Sequence, residues 1–169
     1  MAAYKITNSP NGLPTETEQC RLTSIKISTF FCWGAIPIDG ETDKSLTIAT
    51  DGRIWFTARN TIAKNQLAED GIISNIVRSE KRNISKDKAI ELLNKAKIVF
   101  AEKFNEDQIH VLDAVPDEIV FRYSDGTKIY LKCFTDERIS KFYRRVDEAV
   151  LIERPFMYDI WDDDDTHDE

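Results

Sequence analysis

The chain has few of the residues, and none of the motifs, on which common enzyme chemistries depend. Among its 169 residues are three cysteines, Cys20, Cys32 and Cys133, with no CxxC pair. They are too few and too scattered for a disulfide framework. The spacings GxGxxG, GxxxxGK[ST] and HExxH are also missing. These absences exclude the commonest nucleotide and zinc chemistries, and we predict no cofactor.

Long apolar runs are missing as well. No stretch approaches the ~18–20 apolar residues that a membrane span requires. Residues 1–19 contain no basic segment leading into an apolar stretch, which is the pattern of a secretory signal. We therefore expect a cytoplasmic protein with no membrane partner.

The net charge of −7 comes from one short segment. The chain has 30 acidic and 23 basic residues, and residues 155–169 hold seven of the acids and no Lys or Arg. Residues 1–154 therefore contain 23 of each sign, which argues against a uniformly acidic surface that imitates nucleic acid. The run Asp162–Asp165 lacks the ligand spacing and the glycine of a calcium loop, so we interpret it as a solvated tail. The alternative is electrostatic docking to a basic partner.

Two Asp-Gly steps predict β-hairpins. Asp51-Gly52 and Asp125-Gly126 each stand between β-rich runs, residues 45–57 and 118–134, and both residue types tolerate the positive φ of tight turns. Alternation in residues 24–31 predicts a further strand.

Two amphipathic helices are predicted after the hairpins. Ser85 is a candidate N-cap for a helix over residues 86–104, and Asp136 for a helix that reaches residue 152. Asn60 and Gly71 also favour a short helix over residues 60–70. The expected fold class is α+β, a mainly antiparallel sheet in the order β-ββ-α-ββ-α with two long helices packed on one face.

Composition divides the chain into three parts. Residues 1–20 are polar, contain Pro10, Gly12 and Pro14, and indicate a flexible N-terminal arm. Residues 21–154 are predicted to form a single α+β domain. Residues 155–169 form a tail that is first aromatic and then acidic.

The candidate partner-binding residues lie in a loop and in this tail. The loop, residues 32–44, is long and offers Trp33, Ile36 and Pro37, and tryptophan is enriched at binding hot spots. The tail offers Phe156, Tyr158 and Trp161. In both places the alternative is structural: Trp33 anchors the core, and the tail aromatics fold back to seal one edge of it.

A group of bases near the start of the long helix is a weak candidate anion site. It contains Arg78, Lys81, Arg82 and Lys86, and a helix N-terminus attracts anions. The alternative is a solvated charged face.

Three carboxylates, Asp113, Asp117 and Asp125, provide the one enzymatic alternative, a metal-dependent hydrolase or nuclease. No metal site is predicted, since nothing in the sequence shows that these carboxylates converge. His110 has no Ser or Cys motif beside it to indicate a nucleophile and base.

Together these patterns favour a small non-enzymatic protein-interaction domain of the immunity, inhibitor or adaptor type. Its expected partner is another protein. The alternatives are the metal-dependent hydrolase and a phosphate or nucleic-acid binder that uses residues 78–88. Nucleic acid is the disfavoured partner, because a solvated charged face is the commoner explanation for the bases of residues 78–88.

Overall fold

A computed structural model describes residues 12–31, 39–63, 72–104 and 115–157. Within these ranges it contains one antiparallel sheet and two α-helices, which confirms a mixed α+β architecture. The strands cross the sheet in the order β4-β3-β2-β1-β5-β6. The elements in chain order are β1 (Leu22–Phe30), β2 (Asp43–Ala49), β3 (Arg53–Ala63), β4 (Ile72–Asn83), α1 (Lys86–Ala101), a 3-10 turn (Glu102–Phe104), β5 (Asp117–Tyr123), β6 (Lys128–Cys133) and α2 (Glu137–Val150).

The two Asp-Gly hairpins form as expected, with their apolar residues in register. Leu46 lies opposite Phe56 in the first hairpin, and Ile119 lies opposite Leu131 in the second. Directly opposed residues of an antiparallel pair share a face, so each hairpin presents one apolar side. Those sides join the apolar side of β1, where Ile27 pairs with both Leu46 and Ile119.

Both predicted helix caps are confirmed. The hydroxyl of Ser85 accepts a hydrogen bond from the amide of Lys88 at 3.2 Å, and the carboxylate of Asp136 accepts one from Ile139 at 2.9 Å. Each bond satisfies a backbone donor that has no partner within its own helix.

The core lies between the two helices and one side of the sheet. Phe100 of α1 makes edge-on contacts with Phe121 of β5, at a centroid distance of 6.2 Å, and with Phe142 of α2, at 5.7 Å. Buried residues of both helices belong to the same hydrophobic cluster as Ile27 and Leu46. Neither helix in the described ranges has the length and apolarity needed to cross a membrane.

The structure departs from the predicted element order at one place. Where a short helix was expected from Asn60, strand β3 continues to Ala63 and pairs with β4, so a fourth strand precedes α1. The cap signal of Asn60 is overridden because pairing with β2 continues alongside: Arg59 lies opposite Asp43, and the amide of Thr61 donates to the hydroxyl of Thr42 at 2.7 Å. Tertiary pairing often outweighs a local propensity of this size.

Both ends of the described chain lie against the domain. Leu13 packs on the core, and Glu16 forms an ion pair with Lys97 of α1 at 3.0 Å. At the other end, Phe156 is buried in the core, and the amide of Met157 donates to the hydroxyl of Thr29 at 2.8 Å.

Candidate functional site

The two sides of the sheet differ sharply in composition. The side opposite the core, which we call the open face, carries mainly polar and basic side chains. None of its hydrophobic residues belongs to the core cluster. The pairing register arranges this face in rows across the strands. The central row is Lys81, Trp55, Thr47, Lys26, Val120 and Tyr130.

The open face has a marked excess of positive charge. Its acids are Asp43 and Glu118. Arg53 pairs with Asp51 in the adjoining turn, and Lys132 pairs with Glu118. Its bases, by strand register, are Lys26, Arg53, Arg59, Lys81, Arg122, Lys128 and Lys132. Among the ion pairs of the described residues, none engages Lys26, Arg59, Lys81, Arg122 or Lys128.

Bases elsewhere in the molecule are mostly neutralised by neighbours. Glu91 of α1 pairs with both Lys88 and Lys95, and Asp136 pairs with Lys103 and Arg138. Because this charge is cancelled within a few ångströms, it contributes little to the field outside the protein. The open face, by contrast, combines seven bases with two acids, and five of those bases form no ion pair within the described part of the chain.

A shallow depression of about 480 Å³ lies within the open face. Ser24 pairs with Ala49 on one side and with Arg122 on the other, and the register that pairs Ile48 with Ile54 brings Ala49 opposite Arg53. Ala49 and Ser24, two small residues, thus separate Arg53 from Arg122. The strands of the two arginines are three strand spacings apart, or about 14 Å. The lining includes Ser24, Thr47, Ala49, Arg53, Trp55 and Arg122.

The arginine at one side of the depression is held in place. The Arg53 guanidinium lies 5.1 Å from the centre of the Trp55 ring, and its Nε donates to Asp51 at 2.6 Å. Asp51 also accepts a hydrogen bond from the amide of Arg53, and this bond is the main reason that the pKa of Asp51 lies below its usual value. A guanidinium fixed over an aromatic ring loses less conformational freedom on binding an anion.

The four bases predicted as an anion site do not come together. On β4, Arg78 and Arg82 lie on the core side, opposite Ala58 and Ile54, whereas Lys81 lies on the open face, opposite Trp55. Lys86 belongs to the first turn of α1. The structure therefore brings only Lys81 of the four to the open face.

Arg78 and Arg82 are engaged in an internal ion network. The Nε and Nη2 of Arg78 donate to the carboxylate of Glu41, at 2.7 and 3.1 Å. Glu80 pairs with both Arg78 and Arg82. Glu41 also pairs with Lys44 at 3.0 Å. Burial would raise the pKa of Glu41, but the hydrogen bonds from Arg78 and Lys44 outweigh it and lower the pKa below its usual value. This network seals the core beside Phe56, whose ring lies 4.5 Å from the Arg78 guanidinium.

The predicted carboxylate site is not assembled by the described residues. Asp117 begins β5 and is buried, where its carboxylate accepts hydrogen bonds from Thr135 at 2.6 Å and Tyr143 at 2.7 Å. Asp125 lies in the turn beyond the other end of β5, where it accepts from the amide of Thr127. Asp113 and His110 fall outside the described residues. In the described ranges no group of three or more Asp, Glu, His or Cys side chains could hold a metal.

The predicted partner-binding residues are divided between the core and undescribed parts of the chain. Trp33, Ile36 and Pro37 fall outside the described residues, as do Tyr158 and Trp161. Phe156 is described, is 1% exposed and stacks on Tyr143, so it belongs to the core.

The open face was missed at the level of sequence because its bases come from five strands. Lys26 and Arg122 are close in space through the pairing of β1 with β5, although 95 residues separate them. A usable signal was present: Lys26 and Arg122 each alternate with buried residues of a strand. Such alternation assigns them to the side opposite the core, but the strand order is needed to bring them together.

No protein-family model, characterised protein or solved structure matches the chain. A functional assignment therefore depends on the chemistry of the open face.

Proposed function

We propose that this chain is a non-enzymatic protein-interaction module whose open face binds an acidic surface of a partner protein. The observation that supports it is a set of five bases on one side of the sheet that form no ion pair among the described residues, beside a depression lined by two arginines. An acidic partner would complement this charge, and complementary charge increases both the association rate and the specificity of a protein complex.

The shape of the open face also suits a protein. A face six strands wide extends about 24 Å across the strands, which is comparable to one side of a small protein interface. Hydroxyls of Ser24 and Thr47 lie between Arg53 and Arg122, and they offer hydrogen bonds to partner carboxylates. Trp55 adds an aromatic ring of the type common in binding hot spots.

The spacing of the aromatic residues disfavours single-stranded nucleic acid. Trp55 and Tyr130 lie in the same row, but they are four strand spacings apart, or about 19 Å. Proteins that bind single strands stack successive bases on closely spaced aromatic rings. Trp55 is in addition the partner of Arg53. The described part of the open face thus offers positive charge without closely spaced aromatic rings on which successive bases could stack.

The proposal is tested with a fluorescein-labelled decaglutamate peptide, followed by fluorescence anisotropy. We expect saturable binding to the unmodified protein. The double variant Arg53→Glu/Arg122→Glu should bind at least about tenfold more weakly, because two attractions become repulsions of about 0.5–1 kcal/mol each.

A matched control separates the open face from net charge. Lys141→Glu/Arg145→Glu makes the same change in charge at exposed positions of α2, which packs on the other side of the sheet from the open face. Its affinity should stay within about twofold of the unmodified protein. Equal losses of affinity in both double variants would contradict the proposal. It would also be contradicted if an oligothymidylate of equal charge bound more tightly than decaglutamate and depended on Arg53 and Arg122.

A further inference from the structure

We infer that the acidic segment of the chain, residues 158–169, occupies the open face in cis and competes with the acidic partner. This inference rests on the proposed function, because it assigns an internal competitor to the same surface. It makes the protein a self-regulated binder, in which only a partner that outcompetes the segment gains access to Arg53 and Arg122.

Charge complementarity supports this choice of occupant. Residues 158–169 contain seven acids and no Lys or Arg. Five bases of the open face lack an ion pair within the described part of the chain. The segment also carries Tyr158 and Trp161 among its acids, so it offers aromatic contacts as well as carboxylates.

The segment starts from a fixed point beside the sheet. Phe156 stacks on Tyr143 with ring centroids 4.2 Å apart, and the amide of Met157 donates to Thr29 of β1 at 2.8 Å. Directly opposite Thr29, Lys44 of β2 donates to the carbonyl of Arg154 at 3.0 Å. The acidic segment therefore leaves the body next to β1 and β2, two of the strands that line the depression.

The length of the segment is sufficient to reach the depression. Twelve residues extend up to about 40 Å. Along β1, Thr29 and Ser24 are five residues apart, which is about 17 Å in a strand. More than half of the extended length remains for passing around the end of the sheet to the open face.

Attachment makes the competition effective. A short tether gives an effective concentration of order 1 mM, so a segment that binds in trans with a Kd of order 100 µM would weaken partner binding about tenfold. The segment need not bind tightly, and an acidic partner of higher affinity displaces it.

The test neutralises the segment in the full chain and repeats the decaglutamate titration. In the variant Asp162→Asn/Asp163→Asn/Asp164→Asn we expect binding about tenfold tighter than in the unmodified protein. The control, Glu18→Gln/Glu148→Gln/Glu153→Gln, removes the same charge at exposed positions that form no ion pair in the described residues, and its affinity should change less than twofold.

The outcomes separate the two proposals. If the peptide binds the unmodified and the neutralised protein equally, the open face still binds acids but the inference is overturned. If neutralisation weakens binding, the segment is itself part of the docking surface, which also overturns it. If no variant binds the peptide, the proposed function fails.

A second measurement distinguishes docking in cis from docking on another copy. A nitroxide attached at Thr166→Cys, in a Cys20→Ser/Cys32→Ser background, should broaden the amide signals of Ser24 and Thr47 within the same molecule. In a mixture of spin-labelled and separately ¹⁵N-labelled chains, broadening of those signals would overturn docking in cis.

Discussion

The rings of Tyr143 and Phe156 lie nearly parallel, 4.2 Å apart between centroids and inclined by 16°. Tyr143 belongs to α2, and its hydroxyl donates to the buried carboxylate of Asp117 at 2.7 Å. The stack thereby joins the chain beyond α2 to the start of β5. It also fixes the point from which the acidic segment departs.

Truncating this aromatic anchor should destabilise the whole domain. We expect Phe156→Ala to lower the free energy of unfolding by about 3–5 kcal/mol, because it leaves a cavity against Tyr143. Urea denaturation measures the change. Ile98→Ala, at a position 68% exposed on α1, is the control and should stay within about 0.5 kcal/mol. A similarly small effect at Phe156 would show that the ring is not part of the core.

The two hairpin glycines should differ in their tolerance of alanine. Gly52 has φ +92 and Gly126 has φ +89. Alanine at either position would therefore carry a similar backbone strain of about 1–2 kcal/mol. A Cβ at Gly52 would lie 2.2 Å from the carbonyl oxygen of Ile84, whereas a Cβ at Gly126 meets nothing within 4 Å.

We therefore expect Gly52→Ala to cost about 1–3 kcal/mol more than Gly126→Ala, since the segment before α1 must move. Thermal or urea unfolding of the two variants measures this difference directly. Equal destabilisation would mean that the turn of the first hairpin does not abut Ile84.

The Glu41 network should make stability depend on pH in one direction. The pKa of Glu41 is lowered in the folded state, so its stabilisation is complete above the unfolded pKa of about 4.3 and is lost as the pH falls through the lower folded value. Glu41→Gln should cost about 3–5 kcal/mol at pH 7, because Lys44 and Arg78 lose a buried partner.

Below about pH 4 the unmodified protein loses this stabilisation. The difference in the free energy of unfolding between it and Glu41→Gln should therefore shrink. Urea denaturation at neutral and acidic pH checks the trend. Glu148→Gln, at an exposed position of α2, should stay within about 0.5 kcal/mol throughout. A difference that grows on acidification would be inconsistent with a lowered pKa at Glu41.

Binding of the acidic peptide should be strongly sensitive to salt. The Debye length falls from about 10 Å at 0.1 M salt to about 3 Å at 1 M, and the bases of the open face are partly accessible to solvent. We expect the affinity measured by anisotropy to fall at least about tenfold over this range. Affinity that is unchanged at 1 M salt would point to apolar contacts, and the charge of the open face would then not explain binding.

Local patterns of the sequence were sufficient for the hairpins and the helices. The Asp-Gly turns, the alternation that places Leu46 opposite Phe56, and the caps at Ser85 and Asp136 each involve residues that are close in the chain. Such signals are decided by local sterics and hydrogen bonds, so they can be recognised without tertiary information.

Strand β4 was harder to predict because its core side is charged. Arg78, Glu80 and Arg82 lie opposite Ala58, Phe56 and Ile54, where apolar residues would have given the alternation of a strand. These charges satisfy one another and Glu41, a relationship that only the folded pairing reveals. The open face depends in the same way on strand order, which brings Lys26 of β1 beside Val120 of β5.

The most direct test of the open face is a ¹⁵N-¹H chemical-shift map of the protein titrated with decaglutamate. We predict that the largest changes fall on Ser24, Thr47 and Arg122 and on the indole N–H of Trp55, around the depression. Changes concentrated on the outer surfaces of α1 and α2, or confined to the loop that contains Trp33, would contradict the account.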